Sequence, residues 1–524
     1  MIKSLSKLIL FLSILFLINT VAAQQTSLQA NKKELIFSAV KGTESKTGSI
    51  SFSSKNGEKI SFKISGQGAE YFKLVGGVPN QIAANQKINL SLVFAPSNDT
   101  IGILKAKLLV VGSSGKIIAE TDLKGLSLKG LEGENEPTLK TVIEILGYQV
   151  NNGWNTLANN LKPELQGEEI IASSFQKAAK GKVEMIPVAR FSPDFELPFG
   201  YYTASPKGPQ LHQVGVLSKT KDKLEHQVLF PSISSGSNSF DPGENRFGLY
   251  GTGAGHSAYT LDEWNILLHP GYASHATRTY PLKDQQGKLV SNTYLVCFEE
   301  AKNGDYNDYV FILKNVRPVT MSEDYTSLFN GKNLEGWDLF LTGKELNNDT
   351  EKNFVVQKDG VLHVKGKELG YIRTKNHFNN YHFVVEFKWG EKKWPPREDA
   401  KRDAGICYNI PVNEPDSIWP KSIECQIQEG DTGDFWLLSF STITVNDSTN
   451  KPANHTRMVK KLDAEKPTGQ WNTVEVISYK GKCIHIVNGV VVNAGDKASI
   501  TNGRILLQSE YSEVYYRNAK IKQL

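Results

Sequence analysis

The sequence predicts an all-β protein built of tandem β-sandwich domains. Short segments in which apolar and polar residues alternate recur along most of the chain, and turns rich in glycine, serine and asparagine separate them. No amphipathic helix pattern appears in the last two hundred residues. The length of 524 residues suggests about three domains of ordinary size.

The composition excludes several classes of protein. The net charge is +5, from 60 basic and 55 acidic residues, and no long Lys/Arg run is present, so we expect no nucleic-acid partner. A mean hydropathy of −0.34 excludes a polytopic membrane protein. Phosphate-binding loops, dinucleotide-binding glycine motifs, GxSxG elbows and HExxH zinc motifs are also missing from the sequence.

The first residues resemble an export signal. Lys3 and Lys7 precede an apolar run over residues 8–18, and small residues follow up to Ala23. This pattern predicts a signal peptide over residues 1–23 and a secreted or periplasmic protein with no membrane span after cleavage. An uncleaved membrane anchor is the alternative.

Cysteine usage does not suggest a disulfide scaffold. No CxxC spacing occurs, and domains of this size need no bridges, so we expect buried thiols. A bridge between Cys407 and Cys425 remains an alternative. The four cysteines are Cys297, Cys407, Cys425 and Cys483.

Residues 27–130 predict the first sandwich. Segments such as LIFSAV, ISFKISG and KAKLLVV alternate in the manner of short antiparallel strands. VFAPSNDTIGILKAKLLV and the closing LKGLSLKG resemble the Hydin-type immunoglobulin-like modules of secreted bacterial proteins. The resemblance implies a spacer or partner-binding module without chemistry. The polar residues 131–137 that follow are interpreted as a linker.

Residues 138–319 predict a middle β-rich domain with long loops. Its final part, VCFEEAKNGDYNDYVFILKNV, resembles the end of secreted bacterial β-domains with a D-x-N-D-x-V-F signature. Asp305, Asn307 and Asp308, with Glu300 or Glu299 across a hairpin, offer the oxygen ligands that Ca²⁺ prefers. The alternative is a turn in which Asp and Asn serve the backbone alone.

Residues 325–524 predict the last sandwich, and the strand SIECQIQ is its most informative segment. Alternation places Ile423, Cys425 and Ile427 on one face, and Glu424 and Gln426 on the other. Glu and Gln are depleted in strands, so a row of them predicts a face that receives a polar ligand such as a sugar. A plain solvated strand is the alternative.

The loop after this strand carries Glu429 and Asp431, which could supply a carboxylate base or bind a hard cation. The alternative is a solvated acidic turn. Trp436 offers a flat surface for a sugar ring, or belongs to the core. Alternation in YHFVVEFKW places Glu386 on a polar face, which is a candidate for the face that carries Glu424.

The last domain resembles the 3-keto-disaccharide hydrolase family, whose fold is a concanavalin-like jelly roll. The matching segments occur in order: SLFNGKNLEGW at Ser327–Trp337, then RDAGICY, IECQIQEGDTGDFW, VNGVVV and GRILLQSE. The strand that commonly reads Glu-x-Arg is Glu386-Phe387-Lys388 in this chain, so no arginine role carries over there.

The resemblance implies an enzyme that cleaves 3-keto-glycosides by base-promoted elimination followed by hydration, and the predicted signal peptide makes it a secreted one. A divalent metal at the site could polarise the ketone. The candidate catalytic residues are Glu424, Glu429, Asp431 and Glu386. The candidate substrate-binding residues are Gln426, Arg402, Tyr408, Trp436, Glu510 and Arg517.

The sequence does not assign the base among these carboxylates. Conventional glycoside hydrolysis by two carboxylates uses the same residue types. A non-catalytic carbohydrate-binding protein and a cell-surface adhesion protein are the alternatives outside enzyme chemistry.

Overall fold

The computed structural model describes residues 28–159, 161, 164–219, 225–253 and 255–524 of the chain. It forms two compact units, one ending at Leu128 and the other covering Lys129–Leu524. The predicted signal peptide over residues 1–23 lies outside the described residues. None of the helices in the described ranges has the length and apolar character that a bilayer crossing needs.

The first unit is a β-sandwich. One sheet has the strand order β1-β3-β7-β5, and the other has the order β2-β9-β8-β4-β6, in which β2 and β9 run parallel. Phe37, Phe52, Phe72 and Phe94 fill the space between the sheets. The strands are β1 (Leu28–Ala30), β2 (Glu34–Val40), β3 (Gly48–Ser54), β4 (Glu58–Ser65), β5 (Phe72–Val75), β6 (Gln81–Ile82), β7 (Lys87–Phe94), β8 (Gly102–Gly112) and β9 (Ile117–Leu128), with a 3-10 turn at Ala69–Tyr71.

The second unit begins with another sandwich, here called the middle sandwich. Its two main sheets have the orders β14-β11-β21-β20-β19 and β15-β13-β12-β17-β18. Its elements are α1 (Leu139–Ile145), β10 (Phe175–Lys177), β11 (Val183–Phe191), β12 (Leu197–Ser205), β13 (Gly208–Leu217), β14 (Gln227–Leu229), β15 (Ile233–Gly236), β16 (Ser239–Phe240), β17 (Gly248–Gly253), β18 (His256–Tyr259), α2 (Asp262–Leu268), β19 (Thr277–Lys283), β20 (Leu289–Phe298), β21 (Tyr309–Lys314) and β22 (Val316–Pro318).

The stretch interpreted as a linker is attached to the middle sandwich. Residues 133–135 form a 3-10 turn, and Gln227 Nε2 donates a hydrogen bond to Glu136 Oε1 at 2.9 Å. Thr138 then caps α1, because its hydroxyl accepts a bond from Thr141 N at 3.1 Å. The segment VIEILGY therefore contributes to a short helix.

The rest of the second unit is the predicted jelly-roll sandwich. Two eight-stranded antiparallel sheets pack face to face. Its elements are α3 (Met321–Asp324), β23 (Thr326–Ser327), β24 (Trp337–Leu341), β25 (Phe354–Val356), β26 (Leu362–Val364), β27 (Gly370–Thr374), β28 (Phe378–Asn379), β29 (Tyr381–Lys393), β30 (Asp403–Ile410), β31 (Ser422–Gln428), β32 (Phe435–Leu438), β33 (Thr444–Val445), β34 (Ser448–Thr449), β35 (His455–Met458), β36 (Asn472–Tyr479), β37 (Lys482–Val487), β38 (Val490–Gly495), β39 (Asn502–Ser509) and β40 (Ser512–Gln523).

We call its sheets the front sheet and the back sheet. The front sheet has the order β24-β27-β39-β30-β31-β32-β35, and the back sheet has the order β25-β26-β40-β29-β36-β37-β38. The predicted Asn488-Gly489 turn joins β37 to β38 with positive φ angles of 50° and 81°, as a two-residue hairpin turn of type I′ requires. The all-β fold class and the tandem sandwiches are thus confirmed. All four cysteines are buried free thiols.

The middle sandwich and the back sheet share an apolar core, so they form one unit. Trp264 and Leu267 of α2 pack with Ile477, Ile484 and Ile486 on the outer face of the back sheet. Beside this core, Glu263 pairs with His382 Nδ1 at 2.6 Å and with Lys522 Nζ at 2.5 Å. Because α2 covers part of the outer face of the back sheet, we look for a site on the outer face of the front sheet.

Candidate active site

The outer face of the front sheet carries the row of polar residues that the sequence predicts. Ile423, Cys425 and Ile427 lie in the core between the sheets, so Glu424 and Gln426 point outward. In the neighbouring strand β30, Ala404, Ile406 and Tyr408 point inward, and Asp403, Gly405 and Cys407 therefore point outward. The two strands pair in antiparallel register, with Gly405 opposite Gln426 and Cys407 opposite Glu424.

Gly405 creates the room in which the polar side chains meet. A Cβ atom at this position would collide with the carboxylate of Glu424 and the amide of Gln508. These two side chains can thus approach each other above the backbone of Gly405, because a glycine has no side chain. Gln508 Nε2 donates to Cys407 Sγ at 3.3 Å, and Gln508 Oε1 is buried without a hydrogen-bond partner in the described structure.

Three carboxylates gather here, and we call Asp403, Glu424 and Glu510 the acidic cluster. They are 3%, 5% and 6% exposed. Asp403 accepts hydrogen bonds from Gln426 Nε2 at 2.9 Å and from Gln428 Nε2 at 2.7 Å, and it pairs with Arg397 Nη2 at 2.5 Å. These donors favour a negative charge on Asp403.

Burial and mutual repulsion raise the pKa values within the acidic cluster. Burial, with the charge of Asp403 added, raises the pKa of Glu424 to about 8. Burial and the charges of Asp403 and Glu424 raise the pKa of Glu510 well above its ordinary value. Burial also raises the pKa of Asp403, against the opposing effect of Arg397. The cluster therefore retains a proton at neutral pH and can both accept and donate one.

Trp436 supplies an aromatic surface beside the acidic cluster. It lies directly opposite Glu424 across the β31–β32 pair, and it is half-buried on the same outer face. Trp419 and Trp436 pack against an apolar group that includes Leu438 and Leu506. A sugar ring stacked on Trp436 would bring its hydroxyl groups next to Glu424 and Gln426.

The predicted residues Glu429 and Asp431 are held in ion pairs. Arg402 Nη1 pairs with Glu429 Oε1 at 2.7 Å, and Asp431 pairs with Lys401 at 2.8 Å and Arg457 at 3.0 Å. Although burial opposes the effect, hydrogen bonds to these and neighbouring groups lower the pKa values of Glu429 and Asp431. Such paired carboxylates are poor bases. Arg402, predicted to bind substrate, instead neutralises Glu429.

Glu386 and Arg517 lie on the opposite side of the sandwich. Phe383, Val385 and Phe387 point into the core from the back sheet, so Glu386 points to the outer face of that sheet. It accepts a hydrogen bond from Arg517 Nε at 2.7 Å. The expectation that Glu386 shares a face with Glu424 is wrong, because the two residues belong to different sheets with the whole core between them.

Tyr408 is a second residue that the structure places away from the site. Its side chain is fully buried in the core between the sheets, and its hydroxyl contacts His485 Nε2 at 3.0 Å. Alternation in RDAGICY already places Tyr408 on the core side of β30, together with Ala404 and Ile406. The same alternation places Asp403 outward, so the sequence held a signal for this missed residue.

Gln508 and Arg397 are the other residues that the candidate set lacked. Gln508 could have been found by alternation in GRILLQSE, where Ile505 and Leu507 are core residues. Arg397 comes from the loop between β29 and β30, and a loop has no residue period that indicates its contact with Asp403. Gln426, Trp436, Glu424 and Glu510 are brought together as the sequence suggested.

The acidic cluster of the jelly roll does not suit a divalent metal. Both oxygens of Asp403 accept hydrogen bonds from amides, and the guanidinium of Arg397 supplies the positive charge. In the described ranges, the carboxylates that approach one another closely enough to hold an ion together are instead Glu299, Asp305 and Asp308 of the middle sandwich. We therefore derive no catalytic step through a metal on the jelly roll.

The residues predicted to bind calcium lie in the loop between β20 and β21. Glu300, Asp305, Asn307 and Asp308 are all nearly or fully buried there. Glu299 rather than Glu300 approaches Asp305 and Asp308 within 4.8 Å. The local sequence thus located the cluster, and the structure identifies which of the two adjacent glutamates joins it.

Residues 324–522 match the family model described as a 3-keto-alpha-glucoside-1,2-lyase-like domain. No curated protein matches the chain. Among solved structures, a proposed glycosyl hydrolase from Parabacteroides distasonis is 22% identical, with a TM-score of 0.29, over 39% of this chain and 98% of its own.

Two further solved structures are similar over nearly the same share of the chain. The β-glucanase of Bacillus licheniformis is 13% identical, with a TM-score of 0.26, over 38% of this chain and 97% of its own. The carbohydrate-binding module CBM66 from Bacillus subtilis is 7% identical, with a TM-score of 0.25, over 36% of this chain and 96% of its own. The family match over residues 324–522 supports a carbohydrate-acting role for the jelly-roll sandwich.

Proposed function

We propose that the chain is an exported enzyme, secreted or periplasmic, that cleaves 3-keto-glycosides on the outer face of the front sheet. The observation that carries the proposal is the acidic cluster, in which the pKa of Glu424 is raised to about 8. It lies within the domain that matches the lyase-like family model. In this proposal the first unit, residues 28–128, is a spacer or partner-binding module.

The proposed reaction begins at C2 of the sugar. A ketone at C3 makes the C2 proton acidic, and ionised Glu424 removes it, so that the electron pair of the C2–H bond forms an enolate. The C1–O bond then breaks, its electron pair leaves with the aglycone oxygen, and that oxygen takes a proton. Addition of water to the resulting enone, with OH at C1 and H at C2, gives the free 3-keto sugar.

The acidic cluster suits this sequence of proton transfers. A carboxylate with a raised pKa is a stronger base once it is ionised, which favours Glu424 for the C2 proton. Glu510, whose pKa burial and the charges of Asp403 and Glu424 raise well above its ordinary value, is our candidate for the donor to the leaving oxygen. Arg397 supplies a positive charge that can stabilise the enolate.

The test is release of aglycone by the purified protein from 3-keto-glucosides and from the unoxidised parent glucosides, with and without a chelator. We expect release from the keto forms alone, unaffected by the chelator, and its loss in Glu424→Gln. Release from the unoxidised parents would replace elimination with two-carboxylate hydrolysis. Loss with the chelator that added Ca²⁺ does not reverse would contradict the metal-free assignment of the site.

A carbohydrate-binding role without turnover is the second candidate. The low exposure of Glu424 and Glu510 favours it, because a base must reach its substrate, whereas a stacking surface at Trp436 needs no reactive group. Saturable binding of both sugar types, with no release of aglycone from either, would establish this role. A Trp436→Ala variant should then lose the binding.

A further inference from the structure

The loop between β20 and β21 gathers buried carboxylates that the proposed reaction does not use. Side-chain oxygens of Glu299, Asp305 and Asp308 all lie within 4.8 Å of one another. Glu299 and Asp305 are fully buried, and Asp308 is 4% exposed. Three acidic groups at such distances repel one another strongly unless protons or a cation lie between them.

The hydrogen bonds of this loop use only part of the available oxygens. Glu299 accepts bonds from the backbone N–H groups of Ala301 at 2.8 Å and Asp305 at 2.9 Å. Asp308 accepts a bond from Glu300 N at 2.7 Å. These bonds fold the loop around its own carboxylates, so their oxygens are fixed in position before any ligand binds.

Independent support comes from buried oxygens with no partner in the described structure. Asp305 Oδ1, Asn307 Oδ1 and Glu300 Oε2 accept no hydrogen bond. Asp305 is fully buried and belongs to the three-carboxylate group itself, and Asn307 is fully buried as well. Buried polar atoms are normally satisfied, so unpartnered acceptors at this position indicate a missing positive ligand.

The local charges lead to the same conclusion. Glu136 and Glu300 add two further carboxylates near this loop, and Glu300 is 4% exposed. The guanidinium of Arg190 is close, but its hydrogen bonds go to the hydroxyl of Ser192 and to main-chain oxygens. Arg190 therefore acts on Glu300 and Asp308 through its charge, without a hydrogen bond to either in the described structure.

We propose that this loop binds one calcium ion through Glu299, Asp305, Asp308 and the side-chain oxygen of Asn307, and that the ion fastens residues 133–137 to the middle sandwich. All the donors are oxygens, which selects a hard cation. Two ligands on opposite sides of Ca²⁺, each about 2.4 Å from it, are about 4.8 Å apart. Mg²⁺ requires a smaller, regular octahedron and usually keeps several waters.

The second half of the proposal rests on the contacts of the segment before α1. Asn307 Nδ2 donates to the carbonyl oxygen of Pro137 at 2.7 Å, which fixes the amide with its oxygen left for the ion. Glu136 lies close enough for its charge to act on Glu299 and Asp305. An ion bound to Asn307 Oδ1 would hold this amide, and with it the segment that carries Pro137, against the loop.

The first experiment titrates Ca²⁺ into the full chain after removal of metals, by calorimetry and thermal unfolding. We expect one site per chain and a midpoint about 5 °C higher at a hundredfold excess over Kd. The Asp305→Asn/Asp308→Asn variant should bind no Ca²⁺. Without Ca²⁺ it should be at least as stable as the metal-free parent, because two repelling charges are gone.

The matched control is Asp284→Asn, in an exposed turn of the same sandwich where Asp284 Oδ1 accepts bonds from Gln286 N and Lys288 N. It should respond to Ca²⁺ like the parent. The proposal is overturned if Ca²⁺ neither binds nor stabilises the parent, or if the double variant still binds it. It is overturned also if the double variant is less stable than the parent without Ca²⁺, since these carboxylates would then serve the loop alone.

The second experiment uses a glutamate-specific protease on the full chain. Glu132, Glu134 and Glu136 lie in or beside the fastened segment. Saturating Ca²⁺ should slow cleavage after these residues at least tenfold in the parent and in Asp284→Asn. It should not change the cleavage rate of the double variant. Equal cleavage rates with and without Ca²⁺ in the parent would overturn the fastening role.

Discussion

The acidic cluster of the jelly roll and the carboxylates of the loop between β20 and β21 are both buried in the described structure, and their surroundings differ. On the jelly roll, Asp403 receives two amide hydrogen bonds and an arginine, so the protein itself stabilises its charge. In the middle sandwich, Asp305 Oδ1 and Asn307 Oδ1 have no partner in the described structure. The first group is completed by donors from the chain, and the second awaits a ligand.

This difference indicates how the repulsion among the carboxylates is relieved in each group. Where an internal cation and amides hold one carboxylate charged, the neighbouring carboxylates keep protons, and an acid–base site results. Where the donors of the loop leave buried oxygens without a partner, an external cation is the better solution. Acidic composition alone thus predicts neither outcome, and the distribution of donors around the carboxylates decides between them.

The largest expected effect is the loss of activity in Glu424→Gln. Removal of the base should lower the rate of aglycone release by a factor of about 10²–10⁴. The Glu429→Gln variant is the control, because Glu429 is paired with Arg402 and should leave the rate within about twofold. Equal losses in both variants would remove the distinction between the acidic cluster and the paired loop.

The next effect concerns the space over Gly405. A methyl group in Gly405→Ala displaces the Glu424 carboxylate and the Gln508 amide, so the rate should fall about 10–100-fold although every reactive group is retained. The rate of aglycone release by the variant measures this effect, and circular dichroism checks that the variant is folded. Gly77→Ala, at a position with open space and no positive φ, is a control for a glycine substitution without a collision.

A smaller effect is expected in the pH dependence of stability. The pKa of Glu424 is about 8 in the folded state and near 4.3 in the unfolded chain, so the folded state holds the proton between these values. Stability therefore falls as pH rises through this window, by on the order of a few kcal/mol from Glu424. Glu424→Gln should show a shallower decline than the parent from pH 5 to 8 in denaturant unfolding with Ca²⁺ present.

The smallest effect is expected at Glu386 on the back sheet. Its pair with Arg517 is partly exposed, so Glu386→Gln should cost less than about 1 kcal/mol of stability and leave aglycone release within about twofold. The rate of aglycone release and the free energy of unfolding of this variant test whether the site lies on the front sheet. A hundredfold loss of activity would show that the back sheet takes part in the reaction.

Much of the fold and half of the site could be predicted because alternation along a strand is a local property. It places Glu424 and Gln426 outward in β31, and it also places Asp403 outward in β30. Alternation cannot state which sheet a strand joins, and the prediction for Glu386 failed for this reason. Contacts from loops, such as that of Arg397 with Asp403, and from distant segments, such as that of Glu136 near Glu299, have no periodic signal in the sequence.

The shared core of Trp264 and Leu267 with Ile477, Ile484 and Ile486 restricts how this chain can be divided. A gene fragment that encodes only residues 325–524 would leave these isoleucines facing water as an apolar patch, and such patches promote aggregation. The jelly roll of this protein is therefore unsuited to being exchanged alone between proteins. We expect the segment that folds without exposing this patch, whether in a recombined gene or in a truncated protein, to begin near residue 129.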